Sequence, residues 1–503
     1  MESRNELIEQ SEEGSGEKAR RAVHDTRKDP YEEEAAMKSP VAYRDPQTTV
    51  VDLFASYVEE ARDRPIPQHV SDVAIMHIFD LMSAAGAGIY EQIAVVSRDL
   101  ALETFRPGRV PIWFTGAASS VIGAAWANSG AASALDLDDG DPVARGHLGA
   151  AVIPTAFAVA HEVGATFDEI VRAIVIGYQV GATIATARTS YGTTGTWAPY
   201  AVVATAGALR DIGRRVLAHA LAIAGEAAPN CALMSAPAPH DPLPEGSDVK
   251  EGIPWSVVTG LNALEAAQKG MTGPRNILDS VRHYKFPVDL HEVIRSGSRI
   301  RDSYFKFYSC CRHIHGPLDA LQELMAKNKI KASDIQEIKV EIYDDAMRLE
   351  NRCEPQNLPD IQYSIPYCLA LVALFGPQAL LPLSGGALNR NEVSALARRV
   401  LLSCSPDIEA VYPQQTLSRV TITCGSGTFT SGDTVPKGKG EHVTWQELES
   451  KFKMATRLVA LPAQQNETVE AVHQARVGNA SSLMTCLAEV RFHEVDRRTR
   501  NEG

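Results

Sequence analysis

Four aspartates stand within six positions of the stretch ALDLDDGDPVARGHLGAAVIP, residues 134–154. They are Asp136, Asp138, Asp139 and Asp141, and His147 follows just before an apolar run. Such a cluster can hold a divalent cation, solvate a loop, or orient an imidazole that moves protons. A carboxylate beside a histidine raises the basicity of the ring and fixes its tautomer. The closeness of His147 therefore favours proton transfer over a merely solvated turn.

Asp138, Asp139 and Asp141 have the look of the magnesium motif of a helical terpene cyclase. That chemistry needs a second acidic motif, and none is convincing. Gly140 and Pro142 also interrupt the helix that would have to present the ligands. The expected metal set is therefore none. Basic residues supply the counterpart. Lys250 lies between a turn and a helix in EGSDVKEGIPWSVVTG, where on its own it reads as a solvated side chain or a partly buried one. SYFKFYSCCRHIHGPLDALQEL gathers Lys306, Arg312, His313 and His315 around Cys310 and Cys311. Arginine there could grip carboxylates in two-pronged fashion, or the segment could be a basic surface loop. No P-loop, no GxSxG and no GxGxxG between strand and helix is present, so nothing calls for a nucleotide.

The elements that must position these groups are mostly helical. The chain of 503 residues is 45% hydrophobic and 6% aromatic, which suits packed helices better than a β-sandwich. A net charge of -13 argues against nucleic acid as a partner. The eight cysteines form no CxxC pair and no zinc spacing, so reduced thiols are expected. No apolar run reads as long enough to cross a bilayer, and neither end carries a recognisable address, so a cytoplasmic location is expected. Residues 1–45 are charged and poor in large apolar groups, as a loosely docked or disordered extension would be. From Thr48 onward, helical spacing runs through ASSVIGAAWANSGAASALDLDD, GAAVIPTAFAVAHEVG and DEIVRAIVIGYQVGATIATA. After about residue 300, DIQEIKVEIYDDAM and LSRVTITCGSGT alternate like strands, with PYCLALVALFG and EVSALARRVLLSC read as helices between them. TWQELESKFKMATRLVA then restores helical spacing, with GDTVPKGKGEHV as the crossing.

Taken in order, these segments resemble the MmgE/PrpD family, which includes 2-methylcitrate dehydratase, cis-aconitate decarboxylase and iminodisuccinate epimerase. The resemblance rests on AAWANSGAASALDLDD with HLGAAVIPTAFAVAHEVG, and on GSDVKEGIPWSVVTG, GMTGPRNILD, YFKFYSCCRHIHGPLDAL, DIQYSIPYCLALVAL and the late KFKMA segment, from about residue 48 to 490. It implies an α + α/β fold: a large all-helical domain of residues 46–303 plus 441–492, and a smaller α/β lid of residues 304–440. It further implies a homodimer, no cofactor, and a small di- or tricarboxylate substrate in the cleft. Carried over by position, Asp136, His147 and Lys250 are catalytic, and Lys306, Arg312, His315, Thr194 and Cys311 bind substrate. Thr194 stands where many relatives have a histidine, Cys311 where the decarboxylase has another, and Leu349 or its neighbour where it has a tyrosine. Gly140 replaces a threonine. These departures imply a dehydratase acting on 2-methylcitrate or a longer alkylcitrate. Decarboxylation, epimerisation and an inactive binding protein are the alternatives. Tyr191, Trp197 and Tyr200 are candidate pocket walls or ordinary core residues.

Overall fold

Three helices begin at a threonine whose side chain satisfies one of the first free backbone N–H groups. Thr49, Thr166 and Thr444 each accept a bond from the backbone N–H three residues on, and Asp52, Glu169 and Glu447 return it to the cap. The computed structural model describes residues 48–229 and 246–493; the extension expected at 1–45 and Cys231 lie outside the described residues. The fold is a mostly helical α + α/β arrangement around two hydrophobic cores.

The first core draws on residues 50–305 and 448–492. Its central helices are rich in alanine and glycine, so their backbones approach closely and bury nearly every face. Helix Val121–Ser133 is a clear case, buried throughout from Gly123. Gln68–Gly88 and Phe167–Ala187 are both long and apolar enough to cross a membrane, contrary to the sequence expectation. In each, more than four fifths of the apolar stretch is buried inside the protein, at 83% and 89%. A short antiparallel hairpin, β1 (Val110–Ile112) with β2 (Ala117–Ser119), was not foreseen; it pairs Val110 with Ser119.

The second core uses residues 308–424, joined by Ala84, Ala87, Leu135, Leu137 and Ala455. Here the strands are β3 (Ile335–Ile342), β4 (Val400–Cys404), β5 (Arg419–Cys424) and β6 (Gly427–Thr430), in the order β4-β3-β5-β6. Strands β3 and β4 are parallel, with Ile338 opposite Val400; the other pairs are antiparallel. Alternation does its expected work, as Ile338, Val340 and Ile342 of β3 point inward. EVSALARRVLLSC, expected as one helix, is split into helix Asn391–Ala397 and strand β4. The correction has a tertiary cause: backbone pairing with β3 claims residues whose local pattern also fits a helix. The chain crosses between the cores at Tyr304–Lys306 and again near Lys439. The two crossings lie side by side: Tyr304 pairs with both Gly140 and Lys439, and Phe305 N–H donates to the Gly438 carbonyl at 2.8 Å.

Candidate active site

The acidic loop begins where helix Val121–Ser133 ends. Its sequence Leu135-Asp136-Leu137-Asp138 alternates, and so do its contacts. Leu135 and Leu137 plug into the second core, while Asp136 and Asp138 turn toward the first crossing and His147. Each aspartate then has its own partner. Asp136 Oδ1 accepts from Lys306 Nζ at 2.7 Å and lies 3.4 Å from His147 Nε2. Asp138 Oδ2 lies 3.2 Å from His147 Nδ1. Asp139 accepts from Tyr178 Oη at 2.6 Å and from the Gly149 N–H at 2.8 Å, with His77 Nδ1 2.7 Å away. Asp141 is tied to Arg299 at 2.9 Å and accepts from the Val143 and Ala144 N–H groups. All four are buried. A solvated turn is therefore excluded.

Packing explains two glycines in this loop. A Cβ at Gly149 would sit 2.6 Å from Asp139 Oδ1, so the close carboxylate requires glycine. A Cβ at Gly140 would sit 2.4 Å from Tyr304 Oη, which leaves no room for the threonine expected there by resemblance. From behind, Lys451 Nζ donates to Asp80 at 2.5 Å and to the Leu137 carbonyl at 3.0 Å. The loop is thus held by ionic partners from both cores.

His147 faces a cavity of about 680 Å³. Burial on its own would make the ring harder to protonate, but Asp138 and then Asp136 outweigh that and the opposing Lys306, raising His147 to about 9. At neutral pH it is therefore an imidazolium, ready to give a proton. The two lysines behind it are pushed apart. Burial lowers Lys250 despite Asp136 and Asp138, whereas for Lys306 the same carboxylates overcome burial and raise it. Lys250 donates to Gln362 Oε1, and Gln362 Nε2 donates to the Ala134 carbonyl at 3.2 Å, closing the ring back to the acidic loop. Asp136, Asp138 and His147 also offer donor atoms all within 4.8 Å of one another, a spacing that suits a divalent cation. The Lys306 ammonium already stands on one of those oxygens, so this chain supplies positive charge there itself.

Backbone strain concentrates here. Asp136, Arg145, Lys250 and Glu251 all adopt positive φ, between 49° and 56°. Non-glycine residues enter that region at a cost and persist where the surroundings impose it.

The structure brings Asp136, His147, Lys250, Lys306 and Thr194 together, and places Cys311 and Arg312 on the cavity wall. Thr194 works on the main chain: its Oγ1 accepts from the His147 N–H at 3.1 Å. Burial, with Asp136 nearby, pushes Cys311 up to about 12, so it lines the cavity as a neutral thiol. Two expectations are corrected. Arg312 is no free carboxylate clamp, because its guanidinium donates to the Lys437 carbonyl at 2.6 Å and the Pro436 carbonyl at 3.0 Å and packs over Tyr304. His315 is not on the cavity at all. It lies on the inner face of helix Arg312–Asn328, 3.2 Å from the Cys310 carbonyl and edge-on to Tyr308. Of the three aromatic candidates Tyr191 lines the cavity, while Trp197 and Tyr200 are core.

Sequence reasoning missed most of the opposite wall. His313, held neutral near 4 by burial, lies 2.6 Å from Tyr343 Oη. Arg145 pairs with Asp345 at 2.7 Å, and Tyr412 Oη donates to the same carboxylate. Tyr363 and Leu349 complete the wall. His313 belongs to the basic segment around Lys306 and Arg145 to the acidic stretch, and the family pattern indicated Leu349; no local spacing marks Tyr343, Asp345, Tyr363 or Tyr412.

Two sequence models match the chain: the MmgE/PrpD N-terminal domain over residues 52–285 and the MmgE/PrpD C-terminal domain over residues 308–475. Among curated proteins, a cis-aconitate decarboxylase of Aspergillus terreus is 25% identical over 428 residues, covering 77% of this chain and 85% of that protein.

Proposed function

Because this chain belongs to the MmgE/PrpD family, which includes lyases such as dehydratases and decarboxylases, we propose that its cavity dehydrates a citrate-like tricarboxylate without a cofactor. The substrate we assign is 2-methylcitrate or a longer alkylcitrate, and the product its aconitate-type alkene. One observation carries the reading: an imidazolium, His147, is held between two buried carboxylates at the wall of a cavity backed by two lysines.

In this mechanism Lys250 takes the proton from the carbon next to a carboxylate; burial disfavours its charged form and so makes the amine more available as a base. Negative charge grows on that carboxylate as an enolate-like group, and the Lys306 ammonium stabilises it across the buried site. The bond to the hydroxyl breaks, His147 gives its proton to the departing oxygen, and water leaves. Tyr191, Tyr363 and Leu349 form an apolar wall suited to an alkyl substituent. The reading includes a cytoplasmic homodimer.

Decarboxylation is the second reading, favoured by the name of the Aspergillus relative. There His147 would protonate the carbanion left by departing CO2. Metal-free incubation with citrate, 2-methylcitrate and a longer alkylcitrate, followed by mass spectrometry, separates the two. We expect loss of water, unaffected by chelator and absent in His147→Ala. Activity that depends on added metal, or loss of CO2 in place of water, would refute the proposal.

A further inference from the structure

Glu251 follows the catalytic lysine and lines the cavity, and the reaction outlined above gives it no task. Three successive residues, Lys250, Glu251 and Gly252, adopt left-handed backbone at φ 49°, 56° and 75°. The tight turn carries the Glu251 carbonyl so close to Gly195 that a Cβ there would meet it at 2.6 Å. The side chain is aimed as firmly. Its Oε2 accepts from the Thr194 N–H at 3.2 Å and from Thr194 Oγ1 at 2.7 Å. Thr194 in turn accepts from the His147 N–H. The other oxygen, Oε1, has no hydrogen-bond partner among the described residues.

A carboxylate only accepts hydrogen bonds, so a ligand meeting Oε1 must offer a donor. Ionised carboxylates of a citrate-like acid offer none and are repelled. The hydroxyl is the one donor on such a molecule. Building on the reading of the cavity as a citrate-type site, we propose that Glu251 is a specificity-determining residue that accepts the hydrogen bond of the substrate's hydroxyl. It thereby selects the hydroxy acid over its unsaturated or deoxy counterpart and sets that hydroxyl beside His147, the group that protonates it.

The test compares calorimetric binding of citrate and of tricarballylate, which differs only in lacking the hydroxyl. Sites built to bond a hydroxyl discriminate strongly against analogues without one. Wild-type protein is expected to favour citrate by at least about tenfold. Glu251→Ala should erase the difference, and Glu251→Gln should shrink it, because its one amide oxygen stays with the Thr194 donors and its NH2 offers the ligand a donor in place of an acceptor. Equal binding of both acids to wild type, or discrimination retained in Glu251→Ala, would overturn the assignment and leave the citrate-type cavity standing. Binding of neither acid to wild type would overturn both.

Discussion

The two walls of the cavity are built on different principles. On the acidic-loop side, charged groups are buried, and each is matched to a partner from another part of the chain: Asp136 to Lys306, Asp139 to His77 and Tyr178, Asp80 to Lys451. On the facing side, charge is paired nearer solvent, as in Arg348 with Asp344 and Arg145 with Asp345, and Leu349, Tyr363 and Tyr412 stand among these polar groups on the cavity surface. The first wall fixes where protons and negative charge can go. The second decides what shape may lie against it. A reaction and its selectivity can therefore vary independently on this frame.

Removing the imidazole tests that division most severely. His147→Ala should lower kcat by about a hundred- to ten-thousandfold, the range for one general acid–base group, and should also lower the melting temperature, because buried Asp138 loses its counter-ion. Leu349→Trp on the facing wall should instead reorder the alkyl substrates by chain length while leaving the reaction with citrate. If kinetics of the two variants look alike, the division fails.

Stability should divide the same way. Lys451→Met leaves the Asp80 carboxylate buried without its counter-ion, at a cost of about 3–5 kcal/mol in urea melts. Arg348→Met breaks an exposed pair and should cost less than about 1 kcal/mol. Equal losses would mean that the buried pair is more hydrated than its geometry says.

The finest probe is pH. His147 is raised in the folded protein, so its ion pairing contributes stability that is full below about 6.5, the ordinary histidine value. That contribution falls away as pH rises through about 9. Acid catalysis by its imidazolium is lost over the same upper range. Asp138→Asn removes the carboxylate most responsible for the rise, so the alkaline limb of kcat/KM should move toward neutral pH. An unmoved limb would assign the titration to another group.

How much of this was readable beforehand differs between the walls for a physical reason. The acidic loop is contiguous, so its aspartates and His147 stand out in one line of sequence, and the alternation of leucine with aspartate in LDLD already separates core from site. Lys250 and Lys306 came from family resemblance, since a lone lysine carries no signal of burial. The facing wall adds Asp345, Tyr363 and Tyr412, which only the fold brings beside Arg145 and His313. His315 illustrates a signal that was present and passed over. It lies three and four residues before Leu318 and Asp319, all on the buried face of one helix. The strand in EVSALARRVLLSC was hidden because its partner, β3, lies far away in sequence.

Lys451 carries a consequence for the order of events in synthesis. Asp80 emerges from the ribosome some 370 residues before the ammonium that neutralises it, and the same ammonium steadies the Leu137 carbonyl of the acidic loop. A nascent chain can stack its early helices, yet it holds an uncompensated acid in their midst until the late helix Trp445–Thr456 arrives. The acidic loop therefore gains its last ionic support only when this late helix docks.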